Sequence, residues 1–177
     1  VFRLNIYWIL KKYLGVAPPP VDAEDLKNLV NEGVRAVVSL LNDADLSPLW
    51  SSKEEVHESL MREGIQVIDY PLLSGRAPPP SKALELIKWI DTRIREGKPV
   101  VILCRRGWGR GGALVASYLV YKGKSPDEAL RFVEEAAASR GLEGIDSEDQ
   151  RMLPYKLAQT IESREKHESG NNIRLQR

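Results

Sequence analysis

The chain predicts an α/β fold with a central, largely parallel sheet flanked by helices. Three observations lead there. Short, nearly continuous β-branched runs recur at 34–41, 65–70 and 99–103, the pattern of strands buried on both faces. Amphipathic segments with recognisable start signals lie between them, and Gly or Pro marks almost every switch from one kind of segment to the other.

Taken in order, residues 1–16 mix aromatic and β-branched side chains with basic ones and read as one or two short strands, broken by Pro18, Pro19 and Pro20. Asp22 is placed to cap a helix with Leu26, Leu29 and Val30 on its apolar face, closed by Gly33. After the strand from Val34 to Leu41, Ser52 with Glu55 forms a capping-box pattern for a helix that ends at Gly64. Ile65 to Tyr70 is the next strand, stopped by Pro71. A loop from Leu72 to Pro80 follows, and Ser81 is the expected cap of a helix closing at Gly97. Pro99 to Leu103 is a third buried strand. Beyond a glycine-rich loop at 104–112, Ala113 to Tyr121 is a strongly apolar helix. Ser125-Pro126-Asp127-Glu128 starts another helix, with a cap, a first-turn proline and acids suited to the helix dipole. Ser147 with Gln150 opens a last helix toward Ile161, and the polar stretch from Glu162 to Arg177 is expected to be frayed or disordered. His57 and His167 lie on charged segments and read as solvated.

Composition narrows the function. The chain has 177 residues, 42% hydrophobic and 29% charged, enough to bury a core without disulfides or a structural metal. A formal net charge of +1 gives no bulk-charge argument for nucleic acid or an anionic membrane. One cysteine and two histidines make an internal disulfide impossible and leave too few ligands to suggest a zinc or iron–sulfur site, so no metal and no cofactor is expected. No apolar run reaches a membrane span and the start shows no secretory pattern, so a soluble, cytoplasmic protein is expected.

The chemistry concentrates at Cys104-Arg105-Arg106-Gly107-Trp108-Gly109-Arg110-Gly111-Gly112. This loop follows a buried strand and opens a helix, at the carboxyl edge of the sheet, where ligands of α/β folds bind. Successive backbone N–H groups and a helix N-terminus make an anion cradle, and the glycines let the backbone approach closely. Arg110, six residues past Cys104, can fold back and clamp a tetrahedral oxyanion with two hydrogen bonds. The same positive environment favours a thiolate at Cys104, placed for in-line attack on a bound phosphate and formation of a phosphocysteine.

Leu103 to Gly112 resembles the Cys-x5-Arg signature of the cysteine-dependent protein tyrosine phosphatase superfamily. Val67-Ile68-Asp69-Tyr70-Pro71, Lys88-Trp89-Ile90 and Ser147-Glu148-Asp149-Gln150 extend the resemblance to the compact archaeal-type dual-specificity branch, over roughly residues 5 to 160. The resemblance implies a phosphatase-like catalytic domain over 1–161, followed by the tail at 162–177. It implies Cys104 as nucleophile, Arg110 as phosphate clamp, and Arg105, Arg106, Gly107, Trp108 and Gly109 as the loop that binds the phosphate. The substrate it implies is a phosphorylated protein or peptide.

Three positions depart from that pattern. Leu103 stands where the family has histidine, Gly111 where it has serine or threonine, and Ser74 where it has its general-acid aspartate. The loop from Leu72 to Pro80 holds no carboxylate, so the acid is sought elsewhere: Asp146 is the first candidate and Asp69 the second. The departures keep open a catalytically weak or dead phosphate-binding relative. Arg105 and Arg106 keep open a phosphatase of a non-protein polyanion, an RNA 5′ end or an inositol phosphate, which is the one case in which nucleic acid would be a partner. Oligomeric state is beyond the sequence.

Overall fold

The computed structural model describes residues 4–105 and 108–175. Five strands form one sheet: β1 (Tyr7–Leu10), β2 (Leu14–Ala17), β3 (Ala36–Ser39), β4 (Gln66–Asp69) and β5 (Val100–Leu103), in the order β1-β2-β5-β3-β4. β1 and β2 are an antiparallel hairpin, and the other three pairings are parallel. The predicted α/β class and largely parallel sheet are thus what the chain adopts. Ala17, Leu103, Ser39 and Asp69 stand in one cross-strand row, so the carboxyl ends of four strands finish level. β5 is the middle strand of the five, and Cys104 is the first residue beyond that row.

Alternation along β5 divides the core. Val100, Ile102 and Cys104 join the larger cluster, covered by α3 (Pro80–Arg95), α4 (Arg110–Tyr121), α5 (Pro126–Ala138) and α6 (Glu148–Leu175). Val101 and Leu103 join the smaller cluster under α1 (Ala23–Asn31) and α2 (Lys53–Arg62). Every residue of α4 from Arg110 to Val120 is buried, which is why that helix is apolar on all sides.

The caps at Asp22, Ser52 and Ser125 form as expected, each side-chain oxygen accepting from a backbone N–H three residues on. α3 differs. It starts at Pro80 with Pro79 as its N-cap and no side-chain cap bond, so Ser81 lies inside the helix. A proline at the first helical position already has helical φ and lacks the N–H that a cap would satisfy. The C-terminal segment also differs from expectation: α6 continues without a break through the stretch expected to fray and reaches Leu175, with Glu162 and Lys166 ion-paired one turn apart at 3.0 Å.

His57 is buried rather than solvated, its Nε2 2.7 Å from Ser39 Oγ at the end of β3. Burial pushes its pKa down and outweighs the nearby Asp69 charge. Leu103, in register with Ser39, packs on the same face of the sheet, so the position that carries histidine in the resembled family belongs here to an apolar core.

Candidate active site

β5 delivers Cys104 to the edge of the sheet, where its N–H donates to Ala17 O at 3.2 Å. The chain then turns into α4, whose first bonds run from Gly112 N to Trp108 O and from Ala113 N to Gly109 O. Gly109 is the N-cap and brings no side chain, so first-turn N–H groups are left for a ligand. Cys104, Arg105, Gly109 and Arg110 line one side of a cavity of about 120 Å³. Ser74 and Gly75 supply another wall, and Asp146 and Gln150 complete it from the start of α6.

Arg110 is nearly inaccessible, and its guanidinium is held from behind. Nη1 donates to Asp45 Oδ2 at 2.7 Å and to Leu72 O at 2.7 Å, and Nη2 donates to Asp45 Oδ1 at 2.9 Å. Burial works against its charge, but hydrogen bonding to Asp45 and the Asp45, Cys104 and Asp146 charges outweigh it, so its pKa lies above the ordinary value. A guanidinium carries five N–H donors. With Asp45 and Leu72 accounted for, the Nε–H and the second Nη2 hydrogen remain uncommitted among the described residues, side by side as a fork for two oxygens.

Asp45 escaped the sequence reading. It closes a short 3-10 turn, Asp43–Asp45, capped by Asn42, and its Oδ2 also accepts from Asn42 N at 2.9 Å. Asn42 Nδ2 donates to Leu72 O, the carbonyl that Arg110 also uses. The Asn42-x-x-Asp45 capping spacing was the available signal: it marks a tight turn just past β3, the strand beside β5. Because Arg110 stays buried when its partner is neutralised, Asp45→Asn is expected to cost about 3–5 kcal/mol of stability. Saturating phosphate should recover more of that loss in the variant than it adds to the native protein. Thermal unfolding with and without phosphate checks both, and an unchanged midpoint would contradict the role given to Asp45.

Asp146 reaches the cavity by passing over a glycine. A Cβ built on Gly109 would stand 3.1 Å from Asp146 Oδ1 and 3.2 Å from Oδ2. Its backbone N–H donates to Gln150 Oε1 at 3.2 Å, while Gln150 Nε2 donates to Arg76 O at 3.3 Å. Ser147 Oγ donates to Gly75 O at 2.6 Å, and Asp149 Oδ2 accepts from Ala77 N at 2.9 Å. The start of α6 therefore fixes both the segment that carries Asp146 and the loop that lacks a carboxylate.

Asp69 is not brought to the cavity. Its carboxylate accepts from Lys53 Nζ at 2.7 Å, on the α2 side of the sheet, which corrects its candidacy as the acid. The Trp108 side chain is buried in the larger core cluster, 5.9 Å from Tyr7 between ring centroids, and does not line the cavity. Arg105 is exposed and lines it. Arg106 and Gly107 lie outside the described residues.

A protein-family model described as polymorphic toxin system, DSP-PTPase phosphatase, matches residues 15–124. Among curated proteins, the chain is 23% identical over 137 residues to mouse protein tyrosine phosphatase domain-containing protein 1, covering 71% of this chain and 18% of that protein. It is 34% identical over 79 residues to human protein tyrosine phosphatase type IVA 3, covering 43% of this chain and 45% of that one. The chain thus spans less than half the length of these relatives. Among solved structures, Tk-PTP in its active form superposes with a TM-score of 0.73 at 27% identity, covering 87% of this chain and 96% of that one. TpbA of P. aeruginosa gives a TM-score of 0.62 at 22% identity, covering 88% and 91%, a likeness of fold. The family match takes in the strand, loop and helix that build the cavity, and the chain belongs to the DSP-PTPase phosphatases of polymorphic toxin systems, within the cysteine-dependent protein tyrosine phosphatase superfamily.

Proposed function

We propose that this phosphatase hydrolyses phosphotyrosine in proteins through a phosphocysteine intermediate, with Cys104 as nucleophile, Arg110 as clamp and Asp146 as general acid. The observation that carries the reading is the meeting of Cys104, a back-braced Arg110 and the Asp146 carboxylate around one small cavity. Among the described lining residues, Asp146 is the one carboxylate. It is exposed to solvent and can exchange protons between steps.

In the first step the Cys104 thiolate attacks phosphorus while the bond from phosphorus to the leaving oxygen breaks. Asp146 gives its proton to that oxygen. Charge on the equatorial oxygens is taken up by the Arg110 fork and the backbone N–H groups of the loop. In the second step water attacks the phosphocysteine, the Asp146 carboxylate accepts its proton, and inorganic phosphate leaves with the thiolate restored. Phosphoserine and phosphothreonine are substrates on the same scheme if their shorter esters reach Cys104.

Gly111 makes the second step slow. A Cβ at that position would stand 3.3 Å from Cys104 Sγ and 3.3 Å from Val16 Cγ1, so this glycine adjoins the sulfur and offers it no hydroxyl. Rapid mixing with an aryl phosphate is therefore expected to release one equivalent of phenol per enzyme in a burst, followed by slower turnover. Gly111→Ser should raise the steady rate roughly tenfold, the worth of one hydrogen bond to a charged group, if its Cβ is accommodated by a shift of a few tenths of an ångström. A single phase without a burst, unaltered by Gly111→Ser, would contradict an accumulating intermediate.

A further inference from the structure

The anion loop leaves β5 at Cys104 and enters α4 at Arg110, and of the described residues between them only Trp108 sends a side chain into the core. Arg105 is exposed, and Gly109 has no side chain. Trp108 is 1% exposed and its Nε1 has no hydrogen-bond partner among the described residues, so packing holds the ring. Part of that packing is a cation. The Arg140 guanidinium lies over the Trp108 ring, its Cζ 5.6 Å from the ring centroid, and 6.0 Å from the centroid of Tyr7. Tyr7 itself meets Trp108 at 5.9 Å, tilted by 55°.

Arg140 is exposed, yet its head is anchored. Nη1 donates to Ala136 O at 2.8 Å, a carbonyl in the last turn of α5, where the helix dipole favours a cation. Nη2 donates to Trp8 O of β1 at 3.4 Å. The negative faces of both aromatic rings attract the same charge. One guanidinium therefore joins the end of α5, the outer strand of the hairpin and the middle of the anion loop. The hairpin also touches the loop at its entrance, where Ala17 O accepts from Cys104 N.

A loop whose N–H dipoles converge on one point works against itself until an oxyanion arrives, so contacts outside it must hold the binding shape. Where only a fraction of molecules hold that shape, the apparent affinity falls by that fraction. We propose that Arg140 is a positioning residue of this phosphatase: its guanidinium over Trp108 braces the anion loop in the shape that binds phosphate. The inference rests on the reading of the cavity as a phosphate site, and it deepens that reading by naming what keeps the loop ready. Phosphate oxygens hold the N–H groups together once they are bound, so Arg140 acts on entry to the complex and not on the steps after it.

Calorimetric binding of inorganic phosphate in the Cys104→Ser background tests it. Adding Arg140→Gln, which keeps hydrogen-bond donors but removes the cation, is expected to weaken binding about fivefold, the worth of a cation over an aromatic face. Arg140→Lys keeps a cation and should stay within about twofold. With Trp108→Leu also present, Arg140→Gln should cost nothing further, because the ring it acts through is gone. With Cys104 intact, Arg140→Gln should lower kcat/KM for an aryl phosphate by the same factor and leave kcat within about twofold. Binding indifferent to Arg140→Gln, or an equal loss with and without Trp108 (a through-space effect of charge), would overturn the brace. Should Trp108→Leu fail to fold, a kcat that falls with kcat/KM, or Gln and Lys equally weak, would overturn it instead. If Cys104→Ser alone binds no inorganic phosphate, the anion-site reading fails first and the brace falls with it.

Discussion

Asp146→Asn is expected to lower kcat/KM for phenyl phosphate, which reports ester cleavage and not clearance of the intermediate, by about 10²–10⁴-fold, the usual contribution of a positioned general acid. The loss should track the leaving group. Phenol leaves poorly without a proton, whereas a dinitrophenol leaves well as its anion, so the variant should lose far less on dinitrophenyl phosphate. In the native protein kcat/KM should therefore depend weakly on leaving-group acidity, and in the variant steeply. Binding should move the other way. Asp146 shares the cavity with Arg110, and removing its negative charge should leave inorganic phosphate bound as tightly as before or more tightly. A lower kcat/KM with an undamaged anion site identifies an acid; equal losses of kcat/KM on both esters, or phosphate binding lost together with it, would remove Asp146 from that role.

The signals legible in the chain were the local ones. The β5–loop–α4 unit is contiguous from Val100 to Tyr121, so an apolar strand, a glycine-rich turn and an apolar helix announce the anion cradle without help from the rest of the molecule. The caps at Asp22, Ser52 and Ser125 are equally local, each settled within three residues. What was missed depends on partners far away in sequence. Asp45 becomes part of the site because Arg110, 65 residues on, folds back against it. His57 sits in a charged stretch, yet the helix that carries it turns that face inward onto Ser39. Asp69 and Asp146 looked alike as carboxylates near a loop. Alternation along β4 turns Asp69 to the α2 side, where Lys53 holds it, while a glycine at 109 leaves room for Asp146 in the cavity.

The glycines at 109 and 111 also acquire distinct meanings that spacing alone did not separate. Gly109 yields its side-chain volume to the Asp146 carboxylate, and Gly111 yields its volume to the sulfur and the core behind it. On the proposed mechanism the first arrangement favours cleavage of the ester and the second slows clearance of the phosphocysteine, and Gly111→Ser addresses only the latter.

Phosphate release by Cys104→Ser is the most direct test of the whole account. Oxygen in place of Sγ leaves the Arg110 fork, Asp45 and the loop amides where they are, but supplies a hydroxyl that stays protonated and does not attack. The account predicts that hydrolysis of aryl phosphates falls by roughly four orders of magnitude or more, while inorganic phosphate still binds. Hydrolysis continuing at the native rate in that variant would contradict it.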